Sequence, residues 1–290
     1  MTVSPRELVT GSVDIASLPD VFFRVNEMVD DPYCSASDIG EVIKLDAPFT
    51  ARLLRLVNSP FFGFPSRIDT VSRAITVIGT RELRDLVLAT SVIRNFAGIP
   101  EDLITMDHFW RHSIYAGLVA RILATHCREV NLERYFVAGL LHDIGSLLIY
   151  RKLPELARET LNRSNYNGQV LHEAEREVLG FDHADVGGEL LGSWKLPESL
   201  VEAIAFHHAP ERAANHPREA AITHLANIVV TAIELGHRGP VPPLAVEAWE
   251  MTGLSIDILE PTIAEADAKF ADAYKMIYLE SVGKKQSTAG

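Results

Sequence analysis

Apolar residues recur along this chain mainly at helical spacing, three or four positions apart. In the stretch 37–59, Ile39, Val42 and Ile43 share one such face, and a second apolar face follows the break expected at Pro48. No sustained alternation of apolar and polar residues, the pattern of a half-buried strand, is present. The pattern therefore predicts an all-α protein. The side chains predicted to be buried in the first half are Ile39, Leu53, Leu54, Val57 and Ile78.

Capping residues and helix breakers set the limits of the predicted helices. Ser37 is the expected N-cap of the first helix, and Thr70 that of a short helix over 71–79, which ends at Gly79. Thr80 is the expected N-cap of the helix that follows. Further helices are predicted near 108–127, 132–150, 169–180, 182–193, 197–207 and 217–236.

Two irregular stretches suggest how the chain is divided. The loop at 97–107 is the best internal boundary, and "GHRGPVPP" (236–243) is typical of a linker. The predicted parts are an N-terminal extension over 1–14, a first helical lobe over 15–100, a second helical lobe over 101–236, and a linker with a C-terminal helical segment over 237–290.

Charge and composition narrow the class of protein. The 290 residues carry 27 basic and 39 acidic side chains, a formal net charge of −12, which disfavours nucleic acid as a partner. Cys34 and Cys127 are too few and too far apart for a disulfide framework or a cysteine-type zinc site, and they fit a reducing cytoplasm. No apolar run reaches about 18 residues, and no secretory signal is evident, so we expect a cytoplasmic protein without a membrane segment.

A set of histidines carries the candidate chemistry of the chain. Each of the 11 histidines, taken alone, is more often a surface residue or a satisfied core residue. The adjacent pair His142 and Asp143 is different, because it follows two leucines in an apolar helix, where unpaired burial would be costly. Considered jointly, six residues therefore predict a metal site: His112, His142, Asp143, His183, His207 and His208. We assign five other histidines to the surface or the core: His126, His172, His216, His224 and His237.

Neutral imidazole and carboxylate groups suit iron, nickel, zinc or manganese, so one or two divalent transition-metal ions are expected. Two candidate ligands that are adjacent in the chain can each bind a different ion. Alternatively, one binds the ion and the other only contacts a ligand of that ion. An aspartate between two ions would hold and acidify a water molecule, which is the usual arrangement for phosphoester hydrolysis.

Three sequence blocks carry a resemblance to a known family. They are "LLRLVNSPFFG" (53–63), "AGLLHDIG" (138–145) and "LLGSWKLPESLVEAIAFHH" (190–208). Over about 15–235 the chain resembles the HDOD family, the HD-related output domains of bacterial signalling, within the HD superfamily of metal-dependent phosphohydrolases. The resemblance implies a two-lobed helical fold with an HD-type helical bundle as its second lobe, signalling proteins as partners, and a regulatory role.

The related HD-GYP phosphodiesterases imply roles for individual positions. His112 corresponds to their early histidine, and the other five residues of the set correspond to their His–Asp pair, next histidine and double histidine. Asn227 stands where their late aspartate ligand is expected, and Ser146 stands where a lysine often follows the pair. The GYP segment is absent. His108, four residues before His112, and Asn227 are possible additional ligands.

These observations leave two main functions open. The first is a regulatory signalling module that keeps a metal site and has no catalytic residue. The alternative is a metal-dependent phosphohydrolase acting on nucleotides or cyclic dinucleotides, in which Asp143 and a metal-bound water would carry the reaction. In this alternative, Arg111 and Lys195 are the candidate side chains for binding the phosphate group of the substrate. A nucleic-acid-linked regulator is disfavoured by the acidic balance. The loop "FFGF" (61–64) is a candidate docking loop for a partner, whereas Asn58 and Ser59 are more simply explained as local structure.

Overall fold

The computed structural model describes residues 3–11, 18–59, 64, 66–93, 96, 99–233 and 240–279. Every regular element in these ranges is helical, which confirms the predicted all-α fold. The α-helices in chain order are α1 (Pro5–Thr10), α2 (Asp20–Asp30), α3 (Ala36–Lys44), α4 (Ala47–Val57), α5 (Val71–Ile78), α6 (Thr80–Val92), α7 (Met106–His126), α8 (Leu132–Leu141), α9 (Ile144–Lys152), α10 (Pro154–Asn167), α11 (Leu171–Leu179), α12 (His183–Ser193), α13 (Glu198–Ala205), α14 (Pro217–Ile233), α15 (Val246–Thr252) and α16 (Leu259–Tyr274). Among them, none combines the length and apolar character that a bilayer crossing requires.

Helix starts in the first half differ in part from the predicted caps. α3 is capped by Ser35 rather than Ser37, because the Ser35 hydroxyl and backbone N–H pair reciprocally with Asp38. Thr70 caps α5 as predicted, accepting a hydrogen bond from the Arg73 amide. Gly79 ends α5 and is also the N-cap of α6, so the prediction of Thr80 as that cap was wrong by one residue.

The core confirms part of the predicted buried face. Ile39, Leu53 and Val57 are buried, whereas Leu54 and Ile78 are only half-buried. The buried apolar side chains of the first and second halves form one contiguous cluster, and α1 packs against α9 and α12 of the second half. Division of the chain into lobes stays a prediction. Its limits at 14/15 and 236/237 lie outside the described residues, as do residues 97 and 98 of the boundary loop.

Asn58 has a structural role in the sequence block 53–63. Its Nδ2 donates to the carbonyl oxygens of Leu54 and Ile68, and its Oδ1 accepts from the Ile68 amide, each at 2.6 Å. The side chain thus ties the end of α4 to the chain ten residues on. Residues 61–63 of the candidate docking loop lie outside the described residues, as does His237.

The predicted helix over 132–150 is in fact two helices. α8 ends at Leu141 and α9 begins at Ile144, so His142 and Asp143 occupy the break between them. Asp143 is the N-cap of α9, with φ −97° and ψ 8°. Because two successive residues at such a break can project in directions that a continuous helix does not allow, both side chains reach the same interior region.

Two glycines bring the helices on either side of this break unusually close to their neighbours. A Cβ on Gly139 would lie 2.6 Å from the Ala116 carbonyl oxygen of α7. A Cβ on Gly145 would lie 2.1 Å from the His183 carbonyl oxygen of α12. Both distances are far below van der Waals contact. The backbones of α8 and α7, and of α9 and α12, therefore touch at positions where only glycine fits.

We predict that Gly145→Ala separates α9 from α12. The added methyl group meets backbone, which cannot turn aside as a side chain can, so the free energy of unfolding should fall by about 1–3 kcal/mol or more. Gly192→Ala on α12 is the matched control. It is exposed and has nothing within 4 Å of an added Cβ, so the substitution should leave stability unchanged or raise it by up to about 1 kcal/mol. Urea unfolding of both variants checks this, and equal stability of the two would contradict the close approach.

Candidate metal centre

Asp143 lies at the centre of a cluster of imidazole rings. Its two carboxylate oxygens face two separate groups of side chains, and within each group the potential ligand atoms lie within 4.8 Å of one another. We call the group of His112, His142 and Asp143 subsite A, and the group of His183, His207 and His208 subsite B. The structure therefore brings all six sequence-predicted ligands together.

Subsite A is formed where α7 meets the break between α8 and α9. The Nε2 atoms of His112 and His142 are 3.3 Å apart. Asp143 Oδ2 lies 3.2 Å from His142 Nε2 and 3.6 Å from His112 Nε2. The three ligand atoms thus form a compact triangle on one side of the carboxylate.

Subsite B is formed by the start of α12 and the turn after α13. His183 Nε2 is 2.8 Å from His208 Nε2 and 3.2 Å from Asp143 Oδ1. His207 Nε2 is 3.9 Å from the same Oδ1. Because Oδ2 faces subsite A and Oδ1 faces subsite B, Asp143 is placed to bridge them.

Backbone carbonyl groups fix the orientation of two imidazole rings. His142 Nδ1 lies 2.8 Å from the Gly139 carbonyl oxygen, and His207 Nδ1 lies 2.7 Å from that of Ile204. A carbonyl oxygen only accepts, so Nδ1 must carry the proton in both rings. The lone pair of each Nε2 is then left facing the interior of the cluster, as in metal-binding histidines.

The residues present fit a divalent transition-metal ion. With a metal–nitrogen distance of about 2.0–2.1 Å, two ligand atoms on one ion lie about 3.0–3.4 Å apart. The Nε2–Nε2 distance in subsite A falls in this range. His207 Nε2 is buried and has no hydrogen-bond partner, an arrangement that costs free energy unless a cation is nearby. Imidazole and carboxylate together suit the four metals expected from the sequence.

Glu175 and His172, both on α11, belong to the site although the sequence analysis missed one and dismissed the other. Glu175 is fully buried, and its Oε2 accepts from the backbone amide of His183 at 2.9 Å and from His183 Nδ1 at 2.6 Å. The His172 ring stacks on that of His208, with centroids 3.9 Å apart. Only the order of acidic residues in "HEAEREV" could have pointed to Glu175, and it does not show which of them faces inwards.

Burial and the imidazole rings act in opposite directions on the charges of the cluster. Burial favours the neutral form of Asp143, but the charges and hydrogen bonds of His142 and His183 hold its pKa well below the usual value. Burial lowers the pKa of His207 and His208 well below the ordinary range, so both rings are neutral near pH 7. Burial also acts to lower the pKa of His183, but the Glu175 and Asp143 carboxylates raise it well above the ordinary value.

A cavity of about 570 Å³ opens beside the cluster. His112, Asp143, His183 and His208 form part of its wall, and α10 contributes further polar side chains to it. The Asp143 side chain is 25% exposed, so the bridging carboxylate is accessible from this cavity.

Of the additional sequence candidates, His108 and Asn227 line the cavity. His108 is exposed and belongs to neither subsite. Asn227 is buried, and its Oδ1 accepts a hydrogen bond from the Thr231 hydroxyl at 3.1 Å.

Arg111 and Lys195, the candidate side chains for binding phosphate, are not part of the described cavity wall. Arg111 pairs with Asp107 and lies over the ring of Tyr274 on α16. Arg158 is the one arginine or lysine in the described lining. It is paired with Asp102 at 2.8 Å and with Glu155 at 2.6 Å.

One curated protein is similar to about two thirds of this chain. A curated protein of Treponema pallidum (strain Nichols), itself uncharacterized, is 27% identical over 203 residues. The match covers 68% of this chain and 39% of that protein, so the chain spans well under half of the relative's length.

Two solved structures share the fold. An HDOD domain protein of unknown function from Geobacter sulfurreducens gives a TM-score of 0.74 at 23% identity, with 94% of this chain and 96% of the other covered. A candidate phosphohydrolase from Shewanella amazonensis SB2B gives a TM-score of 0.71 at 23% identity, with 93% and 96% covered.

The family model for the HDOD domain matches residues 15–210. This range is well over half of the chain, and it contains all six residues of subsites A and B. The chain therefore belongs to the HDOD family.

Proposed function

We propose that this protein is a bacterial signal-transduction module of the HDOD type, which holds one or two divalent ions and regulates signalling proteins in the cytoplasm without hydrolysing a substrate. One observation carries the metal part of this proposal: the two oxygens of Asp143 face two separate groups of imidazole nitrogens. Bound ions would supply positive charge and open coordination positions at the cavity. They would also stabilise the folded chain, since the ligands come from four separate segments.

The surroundings of the cluster favour regulation over hydrolysis. Asn227 supplies a neutral carbonyl oxygen where a charged aspartate ligand is expected, so less negative charge is available to hold two ions. Arg158 already pairs with Asp102 and Glu155, and these two carboxylates compete with any phosphate for its guanidinium group. Within the described cavity wall, no second arginine or lysine is available for that purpose.

Hydrolysis of nucleotides or cyclic dinucleotides is the second candidate, and two observations favour it. Asp143 is accessible from a cavity large enough for a small phosphoester. The protein of Shewanella amazonensis with the same fold is itself a candidate phosphohydrolase. In this alternative, Asp143 would orient a water molecule, and Arg158 would leave its carboxylate partners to bind the substrate.

We predict that the chelator-treated protein takes up Mn²⁺ or Fe²⁺, and that His142→Ala and Asp143→Asn lose most of this capacity. At an ion concentration of about 100 times Kd, binding should raise the free energy of unfolding by about 2.7 kcal/mol. The variants should lose this gain. Metal analysis after dialysis and thermal unfolding with and without the ion measure both effects.

His126→Ala is the matched control for this experiment. His126 is an exposed histidine at the end of α7, the helix that also carries His112, and it should bind metal like the unmodified protein. If the unmodified protein takes up no ion, or if His142→Ala binds as much as His126→Ala, the metal centre does not exist as proposed.

We predict little or no turnover of cyclic dinucleotides by the metal-loaded protein. Asn227→Asp restores a carboxylate beside the cluster and should increase both metal uptake and any residual activity, because the added negative charge offsets that of the ions. Product formation followed by chromatography measures the rate. A rate of about 1 s⁻¹ or faster in the unmodified protein, which is typical of enzymes, would replace the regulatory function with hydrolysis.

A further inference from the structure

We infer that α11 is the supporting helix of subsite B, and that His172 and Glu175 on its inner face decide whether this subsite takes an ion. The inference rests on the proposed function, since it concerns the same metal centre. His172 and Glu175 are three positions apart and therefore project from the same side of α11. Each contacts a different residue of subsite B.

Glu175 supports His183 from the side opposite to the cluster. Its carboxylate is fully buried, and within the described residues its ion-pair partner is His183, with no lysine or arginine beside it. Oε2 accepts two hydrogen bonds from His183, while Oε1 is buried without a partner. A carboxylate on Nδ1 fixes the ring and makes Nε2 a stronger ligand. A buried carboxylate without a strong cation is costly, and an ion beyond the imidazole would offset that cost.

His172 supports His208 by stacking. Their rings are nearly parallel, at an angle of 17° and a centroid distance of 3.9 Å. His208 Nδ1 is buried without a hydrogen-bond partner, so no carbonyl group fixes this ring as Gly139 and Ile204 fix those of His142 and His207. The stacked His172 ring therefore limits the rotation of His208 in place of a hydrogen bond at Nδ1.

α11 provides no comparable support to His142 and Asp143 of subsite A. His142 is held by Gly139 of its own helix, and among the described residues no hydrogen bond or ion pair joins α11 to His142 or Asp143. Changes on the inner face of α11 should therefore weaken one ion and leave the other bound. The two subsites should differ in affinity for this reason.

The test compares Glu175→Gln, His172→Ala and His172→Phe with the unmodified protein. Mn²⁺ affinity is measured by competition with a chelator, and electron paramagnetic resonance distinguishes a coupled pair of ions from a single ion. Glu175→Gln and His172→Ala should bind one equivalent about 10–100-fold more weakly, with the other unchanged and the coupled signal lost. His172→Phe keeps an aromatic ring for stacking, so it should retain the second ion.

The matched control is Glu173→Gln, which changes an exposed carboxylate two positions from Glu175 on the same helix. It should bind both ions like the unmodified protein. Thermal unfolding of the metal-free proteins separates positioning from a merely structural role. Metal-free Glu175→Gln should still unfold in one cooperative transition, since glutamine keeps the side-chain shape and an oxygen that can accept from the His183 amide, and the rise in its unfolding temperature on adding Mn²⁺ should be smaller than that of the unmodified protein.

Four outcomes would overturn the inference. Glu175→Gln and His172→Ala could bind both ions as the unmodified protein does, or the unmodified protein could bind a single ion that neither variant affects. In both cases the proposed metal centre would stand without a role for α11. If His172→Phe lost the second ion, stacking would not be the role of His172, because the loss would show that its imidazole binds the ion directly. If the unmodified protein takes no ion, the inference fails together with the proposed function. Should Glu175→Gln not fold, the His172 variants still decide.

Discussion

The candidate metal centre depends on the direct contact between the backbones of α9 and α12. At Gly145 the chain of α9 comes so close to the His183 carbonyl group that no side chain can stand between them. Asp143 immediately precedes α9, and His183 is the first residue of α12. The 3.2 Å distance between their side chains is therefore set by backbone proximity. The contact of Gly139 with α7 likewise sets the 3.3 Å distance between the His142 and His112 side chains. Short ligands such as aspartate and histidine meet only because their helices already touch.

The cluster also has to balance charge in a largely buried region. Asp143 and Glu175 are two carboxylates placed on either side of His183, and neither has a lysine or arginine within its described ion pairs. A positively charged His183 ring satisfies both carboxylates in the absence of an ion, in agreement with its raised pKa. The neutral rings of His207 and His208 cannot contribute in this way. An ion bound at subsite B would supply this positive charge instead, and His183 Nε2 would have to give up its proton to bind it.

Much of the fold and most of the candidate site could be predicted from the sequence. Helical periodicity was sufficient for the all-α class, and the improbable burial of a His–Asp pair pointed to the set of six residues that the structure brings together.

The break at His142 could not be predicted, because the apolar pattern continues through it without a proline. Ser35 immediately precedes α3 and Ser37 is its second residue, and only the pairing with Asp38 three residues after Ser35 distinguishes the cap. α10 was not predicted, since its buried residues are Ala157, Thr160 and Ser164, which give little apolar periodicity. Glu175 is one of several acidic residues on α11, and its burial depends on how that helix packs.

The stretch that defines the family is shorter than the stretch that folds around the ligands. The family match ends at residue 210, yet α14 lies beyond it and packs against α7, α8 and α13. Its His224 donates to the His207 carbonyl oxygen and accepts from the Ala245 amide, so it ties the double histidine to the segment before α15. α16 then returns to α7, where Tyr115 bonds Asp267 and Tyr274 bonds Asp107. A protease that cut the chain at residue 210, or a gene fusion that joined another domain there, would leave the apolar faces of α7 and α8 open to water. Such a fragment would keep all six candidate ligands and lose the helices that hold them in place.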